Sequence, residues 1–172
     1  MSSLVINNIL RFIGLIVFQI IILNNVYLSS WIYPMVYPII IIMLPVNLPR
    51  WSYLFIGFSC GMVVDMFTHT PGLHASAALF LAWITRMVLS MFVPRDGLTF
   101  AGAPTIYSIG LQRFLWYCAF TLFAHHVWFF LMESLSFKNL GFLLLRILAS
   151  SVVSLALSML FQFLFAKRVR VR

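Results

Sequence analysis

Acidic side chains are almost missing from this sequence, with three Asp and Glu in 172 residues against eleven Lys and Arg. Charged residues of either sign make up only 8% of the chain. A soluble globular domain is about a quarter charged, so water is not the main solvent expected here. Three acids leave little choice for a general acid–base pair. P-loop, GxGxxG and HExxH patterns are also missing. The sequence therefore predicts no catalytic residue and no cofactor.

Cysteine is equally scarce. Cys60 and Cys118 are the only two, and both lie inside apolar runs. They are expected as packed thiols and not as a disulfide. A basic stripe with interleaved aromatics is lacking too, so the net charge of +8 does not point to nucleic acid. The basic residues are scattered between apolar runs, apart from the tail Lys167-Arg168-Val169-Arg170-Val171-Arg172. Anionic headgroups of a lipid bilayer suit them better. No small-residue cleavage site follows the first apolar run; Asn24-Asn25 and two prolines do, so that run is expected to be retained.

What the chain has is apolar length. Its hydrophobic fraction is 63% and its mean hydropathy +1.07. A membrane-crossing helix needs about 20 mostly apolar residues. Six stretches are read as spans, at about 4–23, 33–46, 51–67, 73–93, 111–132 and 140–166. The second holds Pro34, Pro38 and Pro45 and is expected to be short, kinked or partly embedded. Trp31, Tyr33, Trp51, Tyr53 and Trp128 fall near proposed ends, where interfacial belts favour Trp and Tyr. With the N-terminus inside, Arg11, Arg50, Arg95, Arg113 and the four basic tail residues lie on the cytoplasmic side, and only Lys138 lies in an outer loop. The predicted class is thus an all-α integral membrane protein, a single six-transmembrane-helix bundle with both termini inside.

An ionisable group in hydrocarbon costs roughly 2.5 kcal/mol or more unless paired or hydrated. Asp65, Arg86, Arg146, His125 and His126 therefore need explaining. Gly57, Gly61 and Asp65 are spaced by four and share one helix face. Either they form a tight helix contact leading to a buried carboxylate, or Asp65 caps the outer loop and faces water. Arg86 lies about two turns from the inner end of its span and can snorkel to headgroups. Arg146 lies about two turns from the outer end of the last span, where the acids at hand are Asp65 and Glu133. A pair with one of them is expected, with Asp65 the favoured partner. His125 and His126 point about 100° apart on a helix, so hydrogen bonds across the bundle suit them better than a shared metal.

The run Gly61-Met62-Val63-Val64-Asp65-Met66-Phe67-Thr68-His69-Thr70-Pro71-Gly72-Leu73-His74-Ala75 resembles the signature region of the MreD family of bacterial rod-shape-determining membrane proteins. Ala82, Trp83, Arg86 and the loop Pro94-Arg95-Asp96-Gly97 fit the same pattern. The resemblance covers about Trp51 to Gly97; elsewhere it rests on length, helix count, the Trp31-Ile32-Tyr33-Pro34 start of the second span and the basic tail. It implies a fold similar to the substrate-binding subunit of energy-coupling-factor transporters. It also implies a place in the bacterial inner membrane and no enzymatic activity. The implied role is that of a scaffold or regulator of peptidoglycan elongation that controls cell shape. Its implied partner is an MreC-like single-span protein, with indirect links to MreB, RodA and its transpeptidase. Asp65, Gly72 and His74 carry over from the family pattern, while His125, His126 and Arg146 match none of it. The competing reading is a substrate- or lipid-binding membrane transport subunit. In such subunits small residues spaced by three in the first helix dock the coupling protein, and Phe12-Ile13-Gly14-Leu15-Ile16-Val17-Phe18 has no such pair.

Overall fold

The structure is a computed structural model in which residues 2–25, 31–93, 102–135 and 139–165 are described, with side chains from residue 10 onward except that of residue 11. The loop at Arg95-Asp96-Gly97, Lys138 and the basic tail lie outside the described residues, and so do the inside and outside charges read from them. The described residues form α-helices and connections, with no strand among them. In order these are α1 (Ser2–Ile21), a 3-10 turn (Leu23–Asn25), α2 (Pro38–Ile42), α3 (Arg50–Thr68), α4 (Leu73–Phe92), α5 (Ile106–Ile109), α6 (Leu111–Ser134) and α7 (Leu140–Phe165).

Four helices, α3, α4, α6 and α7, are long and apolar enough to cross a membrane. Their ends follow local chemistry. Pro49, extended at φ −64° and ψ 153°, precedes α3 and cannot continue a helix backwards. His69 closes α3 in the left-handed region at φ 56°, and Leu135 closes α6 in the same way at φ 41°. The outward faces carry Phe55, Met66, Trp83, Met91, Leu148 and Phe163, all exposed. An exterior this apolar is built for hydrocarbon and not for water.

The stretch expected to span at 33–46 is a different object. Only Pro38–Ile42 is helical in it, a little over one turn. Its prolines explain why: Pro38 takes the first helical position, where no backbone donor is needed, and Pro34 and Pro45 keep the helix from extending on either side. Yet Met35 to Ile42 are almost completely buried. The stretch runs through the middle of the bundle. Tyr33 and Met35 meet Ser150 and Ser154 of α7, and Met43 meets Gln162 further along the same helix. Against α6 the order is reversed, with Tyr37 at His125 and Ile42 at Tyr117. This central pass therefore runs parallel to α7 and antiparallel to α6. Around it α3 packs on α4, α4 on α6 and α6 on α7, while Phe18 of α1 meets Phe161 of α7 edge-on at 5.2 Å.

Trp128 stacks on Phe80 with ring centroids 4.5 Å apart. Cys60 and Cys118 are buried free thiols.

Candidate functional site: a polar core around a proline-broken pass

The α3–α4 hairpin is held by what its side chains lack. A Cβ on Gly61 would stand 2.5 Å from both the Cα of Ala75 and the carbonyl oxygen of His74. On Gly57 it would meet the carbonyl oxygen of Ala78 and the Cβ of Ala82, both at 2.8 Å. The two glycines thus let α3 lie against the first turns of α4, a contact type common between membrane helices.

That approach brings Asp65 to the start of α4. Gly72 is the residue before the helix, at φ 84°, a conformation that L side chains rarely adopt. Glycine cannot supply a capping side chain, so the first N–H groups of α4 need an acceptor from elsewhere. Asp65 supplies it. Its Oδ1 accepts the His74 N–H at 2.9 Å, and its Oδ2 accepts the Ala75 N–H at 2.8 Å. The Thr70 hydroxyl donates to Oδ1 at 2.9 Å, itself paired with Thr68 at 2.6 Å. Of the two readings of Asp65, the tight helix contact ending in a buried carboxylate describes the geometry; its acceptors cap α4 and are not left to water.

The favoured pairing of Asp65 with Arg146 is corrected by this arrangement. The guanidinium of Arg146 goes to Glu133, with Nη1 to Oε2 at 3.0 Å, and lies 4.6 Å above the centre of the Phe130 ring. Asp65 already has three donors at its two oxygens, two of them at the positive end of a helix, which offsets its charge without a cation. Arg86 donates to the carbonyls of Val46 (2.9 Å) and Leu48 (3.2 Å) and sits 5.6 Å from the centre of the Tyr53 ring.

Several of the buried polar side chains serve the central pass. An irregular backbone at this depth needs partners from surrounding protein, since hydrocarbon offers none. Gln19 of α1 uses both ends of its amide. Its Oε1 accepts the Val36 N–H at 2.7 Å, and its Nε2 donates to the Pro34 carbonyl at 3.2 Å and to Asn24 at 2.9 Å. Ser150 accepts the Tyr33 N–H at 3.0 Å, and Ser154 accepts the Met35 N–H at 2.8 Å. Downstream of α2, Tyr117 donates to the Ile42 carbonyl (2.9 Å) and Tyr53 to the Leu44 and Pro45 carbonyls (3.0 and 3.1 Å), before Arg86 takes over.

The histidines complete this network. His126 Nδ1 lies 2.8 Å from the Leu122 carbonyl, which can only accept, so Nδ1 carries the proton. Its Nε2 is then an acceptor for the Ser154 hydroxyl at 3.1 Å, the same hydroxyl that accepts from Met35. His125 Nε2 is 2.8 Å from the Tyr37 hydroxyl, and His74 Nδ1 is 3.4 Å from it on the other side. Tyr37 thus stands between α4 and α6 with its ring edge-on to both imidazoles. Among the described residues no group of three His, Cys, Asp or Glu side chains is placed to hold a metal.

Of the residues singled out in the sequence, Gly57, Gly61, Asp65, Gly72 and His74 come together on the α3–α4 hairpin. Arg86 lies at the far end of α4, and Arg146 with Glu133 forms a separate pair. Sequence reading missed Gln19, Tyr37, Tyr117 and the stripe Ser150, Ser154, Ser158 and Gln162. The stripe had a signal: polar residues every fourth position mark one helix face. One nominal enzyme motif is also present. Gly57-Phe58-Ser59-Cys60-Gly61 has the GxSxG spacing. It sits in the interior of α3, however, and not on the strand-to-helix turn that exposes a nucleophilic serine.

Compared with known proteins, the chain matches no family model, no curated protein and no solved structure.

Proposed function

We propose that this chain is a non-enzymatic six-pass scaffold of the bacterial inner membrane, MreD-like, that binds an MreC-like single-span protein within the peptidoglycan elongation machinery. Five passes are the long helices and the sixth is the central, mostly non-helical pass, with both termini cytoplasmic. The observation that carries this reading is the unity of the signature region. Its Asp, turn glycine and His are separated in sequence, yet they form one structural unit: Asp65 caps α4, Gly72 gives the turn, and His74 reaches the core through Tyr37. Residues of a shared pattern that support one contact fit a framework better than a reaction centre.

The transport reading is weakened by the interior. Where a substrate-binding subunit needs room between its helices, the middle of this bundle is filled by the chain's own Met35 to Ile42. Two experiments test the proposal. Reporter fusions after Arg172 and at Lys138 should place the tail inside and Lys138 outside. Co-expression with an MreC-like protein, followed by pull-down in several detergents and in nanodiscs, should recover the pair. A tail reporter active outside sinks the topology, and failure to recover the partner in every condition sinks the scaffold.

A further inference from the structure

Three tryptophans, Trp51, Trp83 and Trp116, are exposed over half or more of their surface, and they sit at different depths. Trp51 is the second residue of α3 and Trp116 the sixth of α6, both close to helix ends. Interfacial belts favour tryptophan at such positions. Trp83 is the eleventh of the 20 residues of α4, midway along a helix able to cross a membrane. It is 69% exposed, as much as Trp51, at a depth where a bilayer has no interface.

The chemistry of the indole says what belongs there. Its N–H donates and cannot accept. Among the described residues the N–H of Trp83 has no hydrogen-bond partner. Acyl chains carry no acceptor, so lipid at this depth leaves it unsatisfied. A neighbouring helix supplies acceptors, as hydroxyl and amide side chains. The ring is also backed from behind. Phe80 lies 6.3 Å from it and stacks in turn on Trp128 of α6 at 4.5 Å. Along α4, Leu79, Trp83, Met87 and Met91 recur at four-residue intervals and are all exposed, a single stripe. A large rigid ring amid adaptable methionines has the form of an interface anchor. A second copy of this chain does not complete it. A symmetric pair joined through the stripe sets Trp83 against Trp83 at equal depth, and the stripe there offers only the weak thioether of Met87.

We infer that the exposed stripe of α4 seats one membrane-crossing helix of a partner protein, which brings a hydroxyl or amide oxygen to the Trp83 N–H at mid-depth. This deepens the scaffold reading and rests on it: the occupant is the helix of the single-span partner.

The test uses the full chain co-expressed with an MreC-like protein. Photoreactive p-benzoylphenylalanine replaces Met87, one turn from Trp83 on the stripe, or, as a control, the exposed Met66 on α3. Light should join position 87 to the partner's transmembrane segment and leave position 66 unjoined. Trp83→Ala should cut the recovered partner at least tenfold, and Trp116→Ala, near a helix end, should leave it within twofold. Trp83→Phe keeps a ring and removes the N–H. It should lower recovery severalfold while the isolated chain melts at its usual temperature. Cross-links from 87 only to lipid or to a second copy overturn the inference. So does equal cross-linking from both positions, or full recovery with either Trp83 variant. A partner recovered and joined through another face overturns this seat alone; no partner recovered with the unaltered chain overturns the scaffold reading as well.

Discussion

The α3–α4 hairpin and the central pass solve the same problem in opposite ways. Both must bury peptide groups in a setting without water. Each helix of the hairpin satisfies its backbone internally, so its contact face can consist of Gly57, Gly61, Ala75, Ala78 and Ala82, with one carboxylate to cap the exposed start of α4. The central pass bonds to itself only around its short helix, because prolines interrupt it on both sides. Its carbonyls and N–H groups are therefore met by Gln19, Tyr53, Arg86, Tyr117, Ser150 and Ser154, contributed by all five long helices. The hairpin is specified by small size, the central pass by polarity. Each should fail to a different kind of substitution.

The largest effect is expected from bulk in the hairpin. Gly61→Leu should destabilise by about 3 kcal/mol, because the atoms it meets are backbone and cannot rotate away. Cys60→Leu, on the adjacent face, should cost clearly less in the same detergent melting experiment; equal losses would remove the distinction between the faces. In the central pass, Gln19→Leu preserves bulk and removes the amide. It leaves the Val36 N–H without its acceptor, at a cost of about 2 kcal/mol. Gly61→Ala and Gln19→Leu should also differ in kind, since only the second should expose Tyr37 to hydrogen exchange or chemical labelling.

Asp65→Asn keeps the shape of the cap but turns one of its two acceptor oxygens into an NH2 donor, so one bond to α4 is lost and the other loses its charge, for a loss of about 2 kcal/mol. Combined with Arg146→Gln it should be additive within about 0.5 kcal/mol, the behaviour of separate sites. A coupling well beyond that would restore the Asp65–Arg146 pair. The coupling expected instead is between Arg146→Gln and Glu133→Gln, of about 0.5–1 kcal/mol, because the two side chains are 18% and 34% exposed. The smallest effect belongs to Ser158→Ala. The Ser158 hydroxyl is buried without a partner, so its removal should be neutral or slightly stabilising, whereas Ser154→Ala should cost about 1 kcal/mol. Equal losses from the two serines would show that the stripe acts through packing and not through the central backbone.

The sequence made the hairpin far easier to read than the central pass. Long apolar runs between a proline or glycine and a polar turn mark α3, α4, α6 and α7, and the four-residue spacing of Gly57, Gly61 and Asp65 places them on one face. Hydropathy could not separate a helix from an irregular strand of chain at 33–46, since both are apolar. Proline content hinted at the difference but not at its remedy, because the remedy lies more than a hundred residues away in Ser150 and Ser154. The partner of Arg146 was open for a related reason. Charge alone allowed two acids, and only the docking of Asp65 onto the N–H groups of His74 and Ala75 removes one of them.

The bond from Tyr33 to Ser150 joins points 117 residues apart in the chain. It sets an order of events during synthesis. The stretch at 33–46 leaves the ribosome long before α7 exists, and its own hydrogen bonds are too few for a stable crossing. If it is a pass of the proposed six-pass chain, it must wait at the membrane surface, or in the care of the insertion machinery, until the last helix arrives with its serines. Its seating is then a closing step of biogenesis. A chain halted after Ser134 should leave residues 33–46 open to labelling from the aqueous side, while the α3–α4 hairpin is already protected.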